Sequence, residues 1–350
     1  MTENNRAVPA RSAVHVYEGL TPDVVLDALA SVGLFGDGRV MALSSYENRV
    51  YQVHLESPVG EDELAGDIVV AKFYRPARWS DAQIIEEHGF AAELMAAEIP
   101  MVGPLELQGG TLHHFGGFGF SVSPSRGGRR PELEDLEVLE WIGRFIARIH
   151  TVGSARPFKH RPALNLQTFG TAPAELLLAG GYVPLDMESR WRKAFEEAMG
   201  VVQSVFESVG DVPSLRLHGD CHPGNILWTP EGLPLAGPHF VDLDDARSGP
   251  AVQDLWILLS SGERAQCTQQ LSALVDGYEE FRAFNRRELA LIEPLRTLRL
   301  VHYSAWLAQR WNDPIFPINF PWFGSSDYWK GQVDMLVEQT EAMQQEPLIV

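Results

Sequence analysis

The chain has 350 residues, 45% hydrophobic and 21% charged, with a formal net charge of −19 and a pI near 5.0. That length calls for two lobes or domains rather than one small core. The composition excludes disorder, and the acidic balance excludes counterion-driven binding of nucleic acid. Two cysteines without a CxxC exclude a disulfide framework, and no apolar run approaches the ~18 residues of a membrane span. The polar, proline-broken start (MTENNRAVPARSAVHVYEGL) lacks the apolar centre of a secretory leader, so the expectation is a cytoplasmic protein.

In chain order, residues 21–32 open with Thr-Pro-Asp and continue with helical apolar spacing, which predicts a capped first helix. Residues 40–55 alternate β-branched and aromatic positions around a polar turn at 44–48, predicting two strands; residues 67–74 (DIVVAKFY) predict a third. A helix is expected from Ser80 or Asp81 to about Ala97, ended by Pro100 and Pro104, then strands over 105–108 and 118–122. The loop SPSRGGRRP at 123–131 is the expected lobe boundary. Beyond it, long helical periods cover 132–150, 189–209 and much of 254–309, interrupted by a β-like insert at 225–243. The expected class is α+β with two lobes, a small β-rich N-lobe (1–124) and a larger helical C-lobe (125–350).

The stretch LHGDCHPGNILW at 217–228 carries the chemistry. Asp220 is followed five residues later by Asn225 in a Gly/Pro loop, and Asp242 ends a second apolar strand seventeen residues on, behind a turn-rich hairpin. Phosphoryl transfer needs one carboxylate to take or orient the proton of an attacking hydroxyl, and an amide oxygen with a second carboxylate to grip Mg²⁺ against nucleotide phosphates. Asp220 fits the first role; Asn225 and Asp242 fit the second. His218 is read as positioning backbone. A zinc pair of His218 and His222 is opposed by Gly219, Pro223 and Gly224, which forbid a helix. A calcium loop at Asp242, Asp244 and Asp245 lacks its turn glycine and terminal glutamate. Upstream, Lys72 in its strand suits pairing with α/β-phosphates. Of Glu86, Glu87 and Glu93 on the following helix, Glu87 is the expected partner of that lysine.

On these residues the sequence resembles the aminoglycoside phosphotransferase/choline kinase superfamily, whose HGDxxxxN loop and later metal aspartate match His218 to Asn225 and Asp242. SYENRVYQ (45–52), VVAKFYRP (69–76), VDLDDARSGPAVQDLW (241–256), EPLRTLRLVHYSAWL (293–307) and NFPW (319–322) are similar to a stress-response branch of it. The resemblance implies a cytoplasmic, monomeric serine/threonine protein kinase, with Asp220 as proton acceptor, Asn225 and Asp242 on Mg²⁺, and Ser45 in the turn that binds ATP. The hairpin between Asn225 and Asp242 is longer than that branch leads one to expect, at a turn tip where insertions are tolerated.

No GxGxxG covers the phosphates, so residues 44–48 would have to do so. Asp254 is expected to bond the catalytic-loop backbone, Asp244 to stand within approach of a second metal, and the basic loop 125–130 to lie at the cleft entrance or simply in solvent. The aromatics after residue 302 are expected mainly in the core. Cys221, beside the proposed base, is read as a buried inert thiol, with oxidative slowing as the sharper alternative. Three functions remain open. One is a protein kinase acting on serine or threonine, another a kinase of small alcohols such as an aminoglycoside, choline, homoserine or a sugar. A nucleotide-binding pseudokinase is the third, and the intact Lys72, Asp220, Asn225 and Asp242 count against it.

Overall fold

The computed structural model describes residues 16–59, 66–260 and 262–350; residues 1–15 of the start read above, and 60–65 of the charged loop, lie outside the described residues. The Thr21 hydroxyl accepts from Val24 N at 3.3 Å and Pro22 opens α1 (Pro22–Ser31), the expected cap. Strands β1 (Gly36–Leu43), β2 (Arg49–Leu55) and β3 (Ile68–Phe73) follow, then α2 (Asp81–Ala96), whose Ser80 and Gln83 form a reciprocal capping box. Strands β4 (His113–Phe115) and β5 (Phe118–Pro124) complete an antiparallel sheet of order β1-β2-β3-β5-β4. Its register sets Lys72 opposite Val50 on one side and Ser121 on the other.

One expected strand is absent. Residues 105–108 make a single bridge, Leu107 to Gly110, and β4 forms later instead. The reason is local: Gln108 and Gly109 both take positive φ (49° and 80°), so the chain turns where a strand would have to continue.

The second lobe is helical. It contains α3 (Leu136–Gly153), α4 (Ala172–Ala179) entered through a π-helical turn, α5 (Leu185–Val209), α6 (Val252–Trp256), α7 (Arg264–Glu279), α8 (Ile292–Arg310), α9 (Ile315–Asn319) and α10 (Ser326–Ala342). Two small antiparallel pairs lie within it. Strand β6 (Leu215–Leu217) pairs with β9 (Arg247–Gly249), and β7 (Ile226–Thr229) with β8 (Gly237–Phe240). The β7/β8 hairpin is the insert expected at 225–243.

The core divides in two. One cluster packs α1 against the sheet through Val25, Leu29, Val69 and Phe120. The larger cluster fills the helical lobe and also takes Phe90, Ala91 and Leu94 of α2, so that helix bridges the lobes by packing. Trp329 of the late aromatics is buried, whereas Trp322 and Tyr303 are about 40% exposed.

Helices α3 and α7 meet at glycines from both sides. A Cβ on Gly143 would stand 2.1 Å from Leu274 O, and one on Gly277 would stand 2.0 Å from Glu140 O. An alanine there gains about 1 kcal/mol of helix propensity, but a backbone oxygen at 2 Å cannot yield as a side chain would, and overpacking costs roughly 1–3 kcal/mol or more. Gly143→Ala and Gly277→Ala are each expected to lower stability by a net of up to about 2 kcal/mol in urea unfolding, by that difference of terms. Unchanged midpoints would show that the two helices are not seated this closely.

Candidate active site

The site begins with a buried carboxylate. Asp254, on α6, accepts from His218 N (2.9 Å) and Gly219 N (2.8 Å), while the His150 Nε2–H donates to it at 3.0 Å. Burial would raise its pKa, but the His150 hydrogen bond and the surrounding donors outweigh that and hold it below the ordinary value. These bonds pin the strand end from which Asp220 projects. Gly219 makes the turn possible: its φ is +84° and a Cβ would meet Asp245 O at 2.2 Å. The His218 ring is fully buried, its Nε2–H donating to Val241 O at 3.0 Å, so it ties this loop to the strand end before Asp242. That geometry engages the His218 ring apart from His222, whose Nδ1 accepts from Gly224 N at 2.9 Å.

Asp220 Oδ1 lies 2.9 Å from the Arg299 guanidinium, and Oδ2 lies 3.5 Å from His222 Nε2. Asn225 donates its amide Nδ2 to Asp220 O (3.0 Å), which commits the nitrogen and leaves the carbonyl oxygen for an incoming cation. Val241 N donates to Asn225 O at 3.0 Å, tying the loop to the residue before Asp242. Asp242 itself takes the left-handed conformation (φ 62°), a strained choice for a side-chain-bearing residue, with its carboxylate half exposed.

Across the cleft, Lys72 Nζ donates to Asp242 Oδ1 at 2.8 Å and lies 3.2 Å from Asp244 Oδ1 and 4.0 Å from Glu87 Oε1. Burial alone would lower the lysine, yet Asp242, Asp244 and Glu87 together hold its pKa well above the ordinary value. Of the three glutamates on α2, Glu87 faces Lys72. Glu86 accepts the backbone N–H groups of Lys159, His160 and Arg161, and Glu93 pairs with Arg216 and Arg156. Burial pushes Glu87 up to about 7 against the opposing pull of Lys72 and Arg161. Ser45 sits half-buried in the turn between β1 and β2. That turn is anchored from the other lobe: Glu47 Oε2 accepts from Trp306 Nε1 (2.7 Å) and Arg310 Nε (2.6 Å).

Asp244 is buried and taken by Lys72 and Arg78, and Asp245 pairs with Arg78 at 2.9 Å and Arg247 at 2.6 Å. Cys221 is fully buried, and burial followed by the charges of Asp254 and Asp220 pushes its thiol well up, which disfavours the reactive thiolate. Arg129 of the basic loop pairs with Glu132 at 2.9 Å and exchanges backbone bonds with Trp228. Three cations of the cleft escaped the sequence reading. Arg78 follows the lysine strand, and Arg161 bonds the backbone of Leu243 and Ala246 while lying 3.5 Å from Glu87. Arg299 comes from α8, 79 positions from the aspartate it meets, and nothing but a tertiary fold could have joined them.

With this geometry in place, comparison with known proteins is direct. Residues 39–292 match the phosphotransferase enzyme family. Stress response kinase A of Escherichia coli (strain K12) is 43% identical over 337 residues, covering 96% of this chain and 98% of the relative. The serine/threonine protein kinase RdoA of Salmonella typhimurium (strain LT2) is 43% identical over 332 residues, covering 95% and 96%. Amicoumacin kinase hAmiN, solved in complex with AMP-PNP, Ca²⁺ and Ami, shares the fold at a TM-score of 0.68 with 18% identity, covering 93% of this chain and 94% of that one.

Two histidines beside the cleft, His88 buried and His302 half-buried, generate a pH dependence. His302, stacked on Phe169 with ring centroids 4.1 Å apart, is lowered to about 3 by burial and by Arg247. His88, between Tyr74 and Thr111, is lowered to about 3 by burial, Lys72 and Arg161. The unfolded chain protonates these groups near 6.5, so it binds more protons than the folded chain between there and 3. Their contribution is fully present above pH 6.5 and drains as pH falls toward 3. His302→Phe keeps a ring on Phe169 and is expected to flatten the acid limb of unfolding stability by about one proton, ~1.4 kcal/mol per pH unit. An unaltered slope would mean that His302 is already charged in the fold.

Proposed function

The chain belongs to the phosphotransferase enzyme family, and from that premise we propose that it transfers the γ-phosphoryl group of ATP, with Mg²⁺, to the hydroxyl of a protein serine or threonine. The observation carrying this reading is the meeting of Lys72 from the sheet with Asp242 from the helical lobe at 2.8 Å, beside the loop that holds Asp220 and Asn225.

In this reading Asp220 takes the acceptor proton. Lys72 leaves Asp242 to pair with the α/β-phosphates, and Glu87 with Arg161 keeps the ammonium aimed into the cleft. The turn bearing Ser45 covers the phosphates. Asn225 and Asp242 fit a hard divalent ion, because one offers an amide oxygen whose nitrogen is already spent and the other a half-exposed carboxylate. Among the described residues no group of three or more His, Cys, Asp or Glu gathers to hold a metal. When bound, Mg²⁺ supplies charge neutralisation of the phosphates.

The lobe division at 124/125 is likewise proposed, supported by the end of β5 at Pro124. A role in stress response is proposed from the name of one relative, stress response kinase A, and a monomeric, cytoplasmic state from the sequence resemblance. Among the described residues no helix is long and apolar enough to cross a membrane. One feature favours a second reading, a kinase of small alcohols. Between Asp242 and α6 the chain forms only a short 3₁₀ turn and β9, leaving no long segment to dock a protein substrate.

Incubation with labelled ATP and Mg²⁺ separates the readings. Autophosphorylation, or label on serine or threonine of added protein, is expected; label confined to small alcohols would move the assignment to the second reading. Asp220→Asn is expected to reduce kcat by about 10²–10⁴-fold with nucleotide affinity nearly unchanged, since the carboxylate acts on the acceptor. Loss of ATP binding in that variant would contradict the role.

A further inference from the structure

Resting on the transfer reading above, we infer that the acceptor is an alcohol with an anionic group close to its hydroxyl, a serine or threonine flanked by acidic residues, and that Arg299 determines this specificity. The geometry begins at the proposed base. Arg299 Nη2 reaches Asp220 Oδ1 at 2.9 Å, and its side chain is 41% exposed against 22% for the aspartate, so the pair opens to solvent at its cationic end. The cleft's other arginines are occupied by carboxylates of their own. Arg78 holds Asp244 and Asp245, Arg247 holds Asp245, and Arg310 holds Glu47. Arg299 has Asp220 as its paired carboxylate among the described residues, and that carboxylate must be given to the acceptor.

A second exposed guanidinium overhangs the same loop. Arg130 Nη2 comes within 3.9 Å of the position a Cβ on Gly224 would take. Arg130 therefore lies beside the loop that carries Asp220, in a chain whose net charge is −19. The general field of the protein does not draw anions in, so an anionic acceptor has to be recognised by a cation at the reacting atoms themselves.

The chemistry of transfer makes the cation consequential. The acceptor hydroxyl gives its proton to Asp220 as its oxygen forms the new bond to the γ-phosphorus. The bond from that phosphorus to the β–γ bridging oxygen breaks, and ADP leaves with the electron pair. As the hydroxyl takes its place on Asp220, Arg299 loses its partner beside the reacting atoms. An acceptor carboxylate or phosphate restores the pairing, whereas an amine-bearing alcohol sets a second positive charge against it. The same anionic chemistry could be offered by a free hydroxy acid, so the experiment carries both sources.

With the full chain at saturating Mg²⁺-ATP, kcat/KM is measured for serine peptides flanked by Glu, Gln or Lys, and for glycerate against choline. The Glu peptide is expected to exceed the Gln peptide by at least about tenfold and the Lys peptide by more, with Arg299→Gln collapsing the series to within about threefold. Arg299→Lys should keep the order and Arg299→Glu reverse it, which a merely structural role would not do. Thermal unfolding and AMP-PNP affinity verify that each variant is folded. Preferential use of glycerate supports the anionic requirement and places it on a small molecule; use of the acidic peptide places it on protein. Equal use of the three peptides, preference for Lys or choline, or an Arg299→Gln defect confined to the KM of ATP would overturn the inference while leaving phosphoryl transfer intact. Absence of transfer to every acceptor, with no autophosphorylation, would remove the transfer reading and this one with it.

Discussion

Everything at the centre of this molecule depends on one buried carboxylate, Asp254, accepting two consecutive backbone N–H groups and a histidine. An ionised carboxylate without partners is costly to bury, and here the three donors compensate. The bonds are also directional. They fix the peptides of His218 and Gly219, and therefore the direction in which Asp220 leaves the chain. Because Asp254 lies on α6, whose Val252, Leu255 and Trp256 are buried in the large core, the packing of the helical lobe is transmitted to the proposed base through two hydrogen bonds.

The cleft itself is a mutually neutralising network of buried charge. Lys72, Arg78, Arg161 and Arg247 interleave with Glu47, Glu87, Asp242, Asp244 and Asp245. Such clusters contribute little net stability, since desolvation offsets much of the attraction, but removing one member leaves the rest uncompensated. The consequence is that the two sides of the cleft are joined by the contact of Lys72 with Asp242. Lys72 rests on the Asp242 oxygen that the proposed ion would take, and opening that pair asks for phosphates on one side and a cation on the other.

What the sequence disclosed and what it withheld divide along contact range. HGDCHPGN is local, its glycines and proline ruling out helix and its aspartate and asparagine five apart, so the loop could be read directly. Lys72 was legible through its strand, and α1 through Thr21-Pro22. The expected strand at 105–108 failed because Gln108 takes a left-handed turn that its identity does not announce. The partnership of Arg299 with Asp220, of Glu47 with Trp306, and the glycine contact of α3 with α7 each join segments far apart in sequence. No spacing rule encodes them. Glu87 is an intermediate case: helical phase selected it over Glu86 and Glu93, but its sharing between Lys72 on one oxygen and Arg161 of the other lobe on the second was not legible.

Helix α8 connects two sides of the proposed reaction. Arg299 and Trp306 are seven residues apart, about two turns, and so share a face of a rigid helix roughly 10 Å from one another. One end meets Asp220, where an acceptor would sit; the other holds Glu47 in the turn proposed to cover the phosphates, with Arg310 one turn further reinforcing it. That turn lacks the glycine-rich sequence that would let it close on phosphates by backbone freedom alone. Its position is held from both lobes, by Arg75, Arg78 and Tyr17 on the sheet side and by Trp306 and Arg310 on Glu47 and the Tyr46 ring against Phe320 on the helical side. Helix α8 thus links the acceptor end to that turn through a segment with no proline or glycine at which to bend.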